Sequence, residues 1–87
     1  MKVLVLCDDY WHPATTVRAG LASLGRSGFE FDFIEDAAEW SAERMATYPV
    51  VLFSKSNDRT ASDLRDWMTP DVEQAFLNYV EAGGGLL

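Results

Sequence analysis

One cysteine, one histidine and seven basic residues set against fourteen acidic ones are the scarcities that first narrow this 87-residue sequence. A lone Cys7 forbids an intramolecular disulfide and cannot supply a structural zinc site, so neither usual staple of a small fold is available. Stability must come from packing or from partners. With a formal net charge of -7 and no basic cluster, the chain lacks the means to neutralise a phosphate backbone. Nucleic acid is not an expected partner, and an anionic membrane surface is disfavoured on the same ground. No apolar run approaches the ~18 residues that a bilayer span needs. The start, Met1 and Lys2 followed by a short apolar run that meets an Asp pair, is unlike a signal peptide, so a cytoplasmic location is expected. Neither a G-x-G-x-x-G nor a Walker pattern occurs, and no nucleotide or flavin is expected.

What is present describes one globular domain or part of one. Hydrophobic residues make up 48% and charged residues 24%, with a mean hydropathy of -0.08, which argues against disorder. A fold of this length has a radius of gyration of about 12 Å. The unbroken run Val3 to Leu6, ended by Asp8 and Asp9, has the pattern of a strand buried on both faces. Ala14 to Arg26 places Val17, Leu21 and Leu24 at helical spacing behind Pro13, which suits a first helical turn. Gly25 and Gly28 bracket the end of that helix, and Phe29, Phe31 and Phe33 then alternate with Glu30 and Asp32 up to Ile34, predicting a second strand. Ser41 caps a short predicted helix that includes Arg44. Val50 to Phe53 forms a third strand behind Pro49, and Ser54 to Asp63 reads as a polar loop.

Thr69, Pro70 and Glu73 together signal a helix start, and Val72, Ala75, Phe76, Tyr79 and Val80 make its apolar stripe. Gly83 to Gly85 stop it, and Leu86 and Leu87 resemble the beginning of a fourth buried strand. Between Glu30 and Glu43 stand six acids and no base, a solvated face rather than a metal site. Alternating strands and helices imply an α/β fold: a three-layer parallel sheet, flavodoxin-like in class, with strand order 2-1-3 and joined by right-handed crossovers. The sheet is expected to be incomplete at its C-terminal side, residues 1–87 forming the N-terminal part of a single domain. The edge left open in that way predicts self-association into a homo-oligomer.

In such sheets ligands bind at the carboxyl ends of the strands where the order reverses. Two loops lie there: Asp8 to Pro13, and Ser54 to Asp63. Adjacent carboxylates at the head of the first helix repel phosphate, whereas acids beside Tyr10, Trp11 and His12 suit a neutral sugar, whose hydroxyls donate to carboxylates while its ring faces pack on aromatic planes. Asp9, Tyr10 and Trp11 are the candidate binding residues of this loop. The alternative is that one Asp caps the helix while the aromatic residues cover the sheet end. Histidine is the side chain that ordinarily titrates near neutrality, which makes His12 the candidate catalytic residue. His12 with Asp8 or Asp9 also offers part of a divalent-metal site, weakly supported because no further ligand has recognisable spacing. From the second loop, Lys55 and Asn57 are candidates to donate to substrate hydroxyls. Trp67 is expected to pack at the foot of the third helix, and Cys7 to be an inert core thiol.

Several segments taken together resemble the ThuA-like family, which is associated with trehalose and related sugar utilisation and shares the class I glutamine amidotransferase-like fold. They are Lys2 to Leu6, Trp11-His12-Pro13, Gly28-Phe29-Glu30-Phe31, Tyr48-Pro49-Val50-Val51-Leu52, and Tyr79-Val80-Glu81-Ala82-Gly83-Gly84-Gly85-Leu86. Members of that family are considerably longer, so the resemblance is to their N-terminal portion. It implies a small-molecule sugar or keto-sugar as partner, with His12 and its neighbours Asp9 and Trp11 matching the family's first loop. The family's glycine run leads into a strand that usually reaches a histidine, and in amidotransferases to a nucleophilic cysteine; neither position occurs in this sequence. A non-catalytic α/β scaffold of the same fold is the alternative.

Overall fold

The apolar run near the N-terminus becomes β1 (Lys2–Leu6), an inner strand of a four-stranded parallel sheet, in a computed structural model that describes residues 1–87. Its neighbours are β2 (Glu30–Ile34) on one side and β3 (Val50–Phe53) on the other, and the last strand, β6 (Gly85–Leu86), pairs with β3. The sheet order is therefore β2-β1-β3-β6, which contains the expected 2-1-3. Register places Leu6 opposite both Ile34 and Phe53, so β2, β1 and β3 end together and their carboxyl ends share one rim.

Alternation along the strands sends side chains to two separate apolar clusters. On one face Leu4, Leu6, Ile34 and Val51 pack against Met45, Trp67, Phe76 and Tyr79. These come from α2 (Ala42–Met45), α3 (Pro70–Glu81) and the segment before α3. On the other face Val3 and Val5 meet Cys7 and Ala14, with Val17 and Leu21 of α1 (Ala14–Leu21) and Phe31, Phe33, Val50 and Leu52 around them. Helices thus lie on both faces of the sheet, and β1, covered twice, has Val3 to Leu6 all buried. The radius of gyration is 12.7 Å. No helix is long and apolar enough to cross a membrane.

Caps follow the sequence closely. The Ser41 hydroxyl accepts from the Arg44 amide, and the Thr69 hydroxyl accepts from the Val72 amide with Pro70 next in line. Gly83 sits at φ +101, outside the range that L side chains tolerate, and a methyl at Gly84 would overlap the Tyr79 ring. The chain turns sharply there because Tyr79 packs directly on the Gly84 backbone while its hydroxyl donates to the Tyr48 carbonyl at 2.6 Å.

Three expectations are corrected. The first helix does not run to Arg26: it ends at Leu21 and continues as 3-10 turns over Ala22–Ser27, a stretch without a buried residue. Without an apolar face to dock, and with Gly25 within it, nothing favours the α pitch. The stretch read as a polar loop contains β4 (Asp58–Thr60) and leads into β5 (Asp63–Asp66), an antiparallel hairpin. Its strands carry no apolar alternation, so periodicity cannot reveal them. Finally, the last strand is Gly85–Leu86, one residue earlier than expected, and it is not buried: Leu86 is 43% exposed and Leu87, just beyond it, 76%, at an edge of the sheet.

Candidate functional site

The rim formed by the ends of β1 and β3 brings together residues that the sequence separates by more than forty positions. Asp8 directly follows the buried end of β1 and adopts φ +78, a left-handed conformation that Asp tolerates better than most side chains. Its carboxylate bridges two segments: one oxygen accepts from the Ala14 amide at the head of α1 and the other from the Ala61 amide in the β4–β5 turn, each at 2.9 Å. Asp8 is thus the acid that caps the helix, as one of the two sequence readings allowed.

Asp9 is buried, at 1% exposure. Its carboxylate accepts from the Ser56 amide at 2.7 Å, from the His12 amide, and from His12 Nδ1 at 3.1 Å. Burial alone raises a carboxyl group's pKa, but the Ser56 and His12 amides and the His12 ring together outweigh it and hold Asp9 below the usual aspartate range. The ionised carboxylate only accepts, so the hydrogen of the imidazole resides on Nδ1 and Nε2 is the free acceptor. The His12 side chain is 65% exposed. Sequence reasoning offered Asp9 as a ligand-binding group; the structure buries it beside His12, with its carboxylate engaged by the His12 and Ser56 amides and the His12 ring.

Asp9, Trp11, His12 and Lys55 line one open cavity of about 360 Å3 together with Phe53, Ser54 and Ser56. Trp11 is exposed and Tyr10 meets it edge-on at 4.9 Å, but Tyr10 lies outside the cavity lining. Lys55 stands between this cavity and an adjoining one lined by Phe53, Ser56, Asn57 and Met68. Its Nζ donates to the Arg59 carbonyl at 2.8 Å and lies 5.4 Å from the centre of the Trp67 ring. Asn57 serves the backbone: its side-chain oxygen accepts from the amides of Trp67 and Met68 at 3.1 and 2.7 Å, closing the chain after β5.

Trp67 packs in the core against Phe53 and Phe76 near α3, as expected, and its Nε1 donates to the Ser56 carbonyl at 3.2 Å. Ser56, which sequence reasoning passed over, therefore anchors Asp9 through its amide and Trp67 through its carbonyl. Nothing in a Ser-Lys-Ser run announces such a role, because both bonds use the backbone. No group of three or more His, Cys, Asp or Glu side chains comes together in a way that could hold a metal ion, since Asp8 turns away and only Asp9 and His12 meet. Cys7 is fully buried, and burial pushes its thiol up to about 11, in keeping with an inert core residue. A larger apolar cavity of about 470 Å3 between α2 and α3 contains no free titratable group: the Tyr48 hydroxyl is spent on Asp32 and the Tyr79 hydroxyl on the Tyr48 carbonyl.

No protein-family model, curated protein or solved structure matches this chain.

Proposed function

We propose that this chain forms one wall of a sugar-handling site of the ThuA-like kind, built on a three-layer, flavodoxin-like sheet of the class I glutamine amidotransferase-like type, with a sugar or keto-sugar as ligand. The observation that carries this reading is the Asp9–His12 pair. It leaves Nε2 unbonded on a ring that lines the cavity at the carboxyl ends of β1 and β3, beside the exposed Trp11 indole and Lys55. An imidazole oriented by a buried carboxylate is suited to take and return a proton from a hydroxyl or carbonyl group, and an exposed indole is suited to pack on a sugar ring. The reading includes a cytoplasmic protein that works as a homo-oligomer and needs no nucleotide or flavin.

Trp11 is the exposed tryptophan, while Trp40 and Trp67 pack with the core, so emission from Trp11 reports on the site. Titrating the chain with disaccharides and 3-keto-sugars is expected to change that emission, and His12→Ala to weaken the response. No response, with an identical trace in His12→Ala, would overturn the proposal.

A catalytically silent scaffold is the second reading, and a specific observation favours it. Asp8, Asp9 and Asn57, the obvious polar groups of the crevice, are spent on backbone amides at Ala14, Ala61, His12, Ser56, Trp67 and Met68. The same titration separates the two.

A further inference from the structure

We propose that Lys55 is a carbonyl-reactive amine, which forms a covalent imine with an aldehyde or ketone held in the cavity at the ends of β1 and β3, His12 handling the proton. The inference rests on the sugar site proposed above and deepens it by naming the reactive form of the ligand, an open-chain or keto carbonyl.

Three observations converge on this amine. Lys55 lies two residues beyond β3 and lines both cavities of the rim, so a molecule in either one reaches it. It is also free of ion pairs, since the salt bridges of the chain are made by His12, Arg18, Arg59 and Arg65. The one hydrogen bond of Nζ goes to a neutral acceptor, the Arg59 carbonyl. A neutral amine makes that bond with one N–H and keeps its lone pair for the cavity. Lastly, the Trp67 ring shields one side of the ammonium from water. Burial accordingly pushes Lys55 below the ordinary lysine range, although Asp8, Cys7, Asp36 and Asp9 face it and favour its charged form.

The chemistry needs no co-reactant. The lone pair of the neutral amine attacks the carbonyl carbon, a C–N bond forms, and the oxygen gains a proton while the nitrogen loses one. The nitrogen lone pair then forms C=N as the C–O bond breaks, and the departing hydroxyl leaves as water with the second nitrogen proton, which His12 Nε2, unprotonated at the start, takes from the nitrogen and passes to the oxygen. An amine and a carbonyl become an imine and one water. His12 lines the same cavity, so both groups face one ligand.

The sequence contains its own control, because Lys2 is the only other lysine and is exposed, whereas Lys55 is half-buried. Treating the intact chain with glycolaldehyde and sodium cyanoborohydride at neutral pH traps imines as stable hydroxyethyl groups, which peptide mapping by mass spectrometry assigns to each amine. Lys55 is expected to be modified several-fold faster than Lys2, and the difference to vanish in denaturing urea. A slower rate at Lys55 in His12→Ala supports the proton role, and an unchanged rate overturns that part. Labelling at Lys2 that equals or exceeds labelling at Lys55 in the folded chain overturns the whole proposal. A non-reducing disaccharide, which has no carbonyl, separates this from the sugar reading. If it alters Trp11 emission while Lys55 shows no selectivity, the sugar site stands and the amine role fails. Selective labelling without any sugar response gives the reverse.

Discussion

Replacing Asp9 probes the rim at its most connected point. The carboxylate is the acceptor for the His12 and Ser56 amides, and through them it ties the end of β1 to the chain beyond β3. In Asp9→Ala both amides lose their partner, and each amide left unpaired away from water costs about 1–3 kcal/mol. Both groups are only part-buried, so water recovers some of this, and a total of about 2–4 kcal/mol is expected. A chain of 87 residues, at about 0.05–0.15 kcal/mol per residue, has a total stability of about 4–13 kcal/mol, so the loss is a large fraction of it. Asp9→Asn retains one accepting oxygen and should cost about half as much. Urea unfolding followed by far-UV circular dichroism is the assay; with a slope near 1–2 kcal/mol/M, the midpoint of Asp9→Ala should fall by roughly 1–4 M at neutral pH. The folded chain holds Asp9 below its ordinary value of 3.8, so its contribution is fully present above that pH and disappears as the pH falls through the folded value. Asp9→Asn should therefore show a shallower acid-side decline than the parent. A midpoint in Asp9→Ala indistinguishable from the parent at neutral pH, or an acid limb unchanged in Asp9→Asn, would refute this account of the rim.

Other substitutions examine separate parts of the fold. Gly84→Ala forces a methyl into the Tyr79 ring and should destabilise by about 1–3 kcal/mol in the same unfolding assay, with loss of amide protection in β6. Trp40 carries a buried Nε1 without a partner, so Trp40→Phe removes an unsatisfied donor and should change stability by less than about 1 kcal/mol, whereas Trp67→Phe strands the Ser56 carbonyl and should cost about 1–3 kcal/mol more. Equal losses for the two would contradict that distinction. Cys7, buried with its thiol raised to about 11, should react with iodoacetamide at pH 8 at least roughly tenfold more slowly in the folded chain than in urea. Comparable labelling rates in the two states would mean that the end of β1 opens readily.

Much of the framework was legible because it is encoded locally. The buried run Val3 to Leu6, the alternating phenylalanines of β2, and the caps at Ser41 and Thr69 each need only a few neighbouring residues to specify them. The pairing of Asp9 with His12 belongs to the same class, since the two are three residues apart and joined within one turn. From the alternation of elements, general rules of connection then supply the order 2-1-3, which places the loops after β1 and β3 side by side.

What the sequence by itself determined, then, is the parallel α/β sheet, the order 2-1-3 of its first three strands, and the two loops that meet at its rim. Only the tertiary structure decided what the polar residues of those loops do. Asp9 finds the Ser56 amide across 47 positions, and Asp8 finds the Ala61 amide across 53. Both partners are backbone groups, which every residue carries, so no side-chain pattern distinguishes them in advance. The β4–β5 hairpin was hidden for a related reason: its residues bury too little apolar surface to impose a period of two. The setting of Lys55, beneath Trp67 and against the Arg59 carbonyl, likewise exists only once that hairpin folds back over the end of β3.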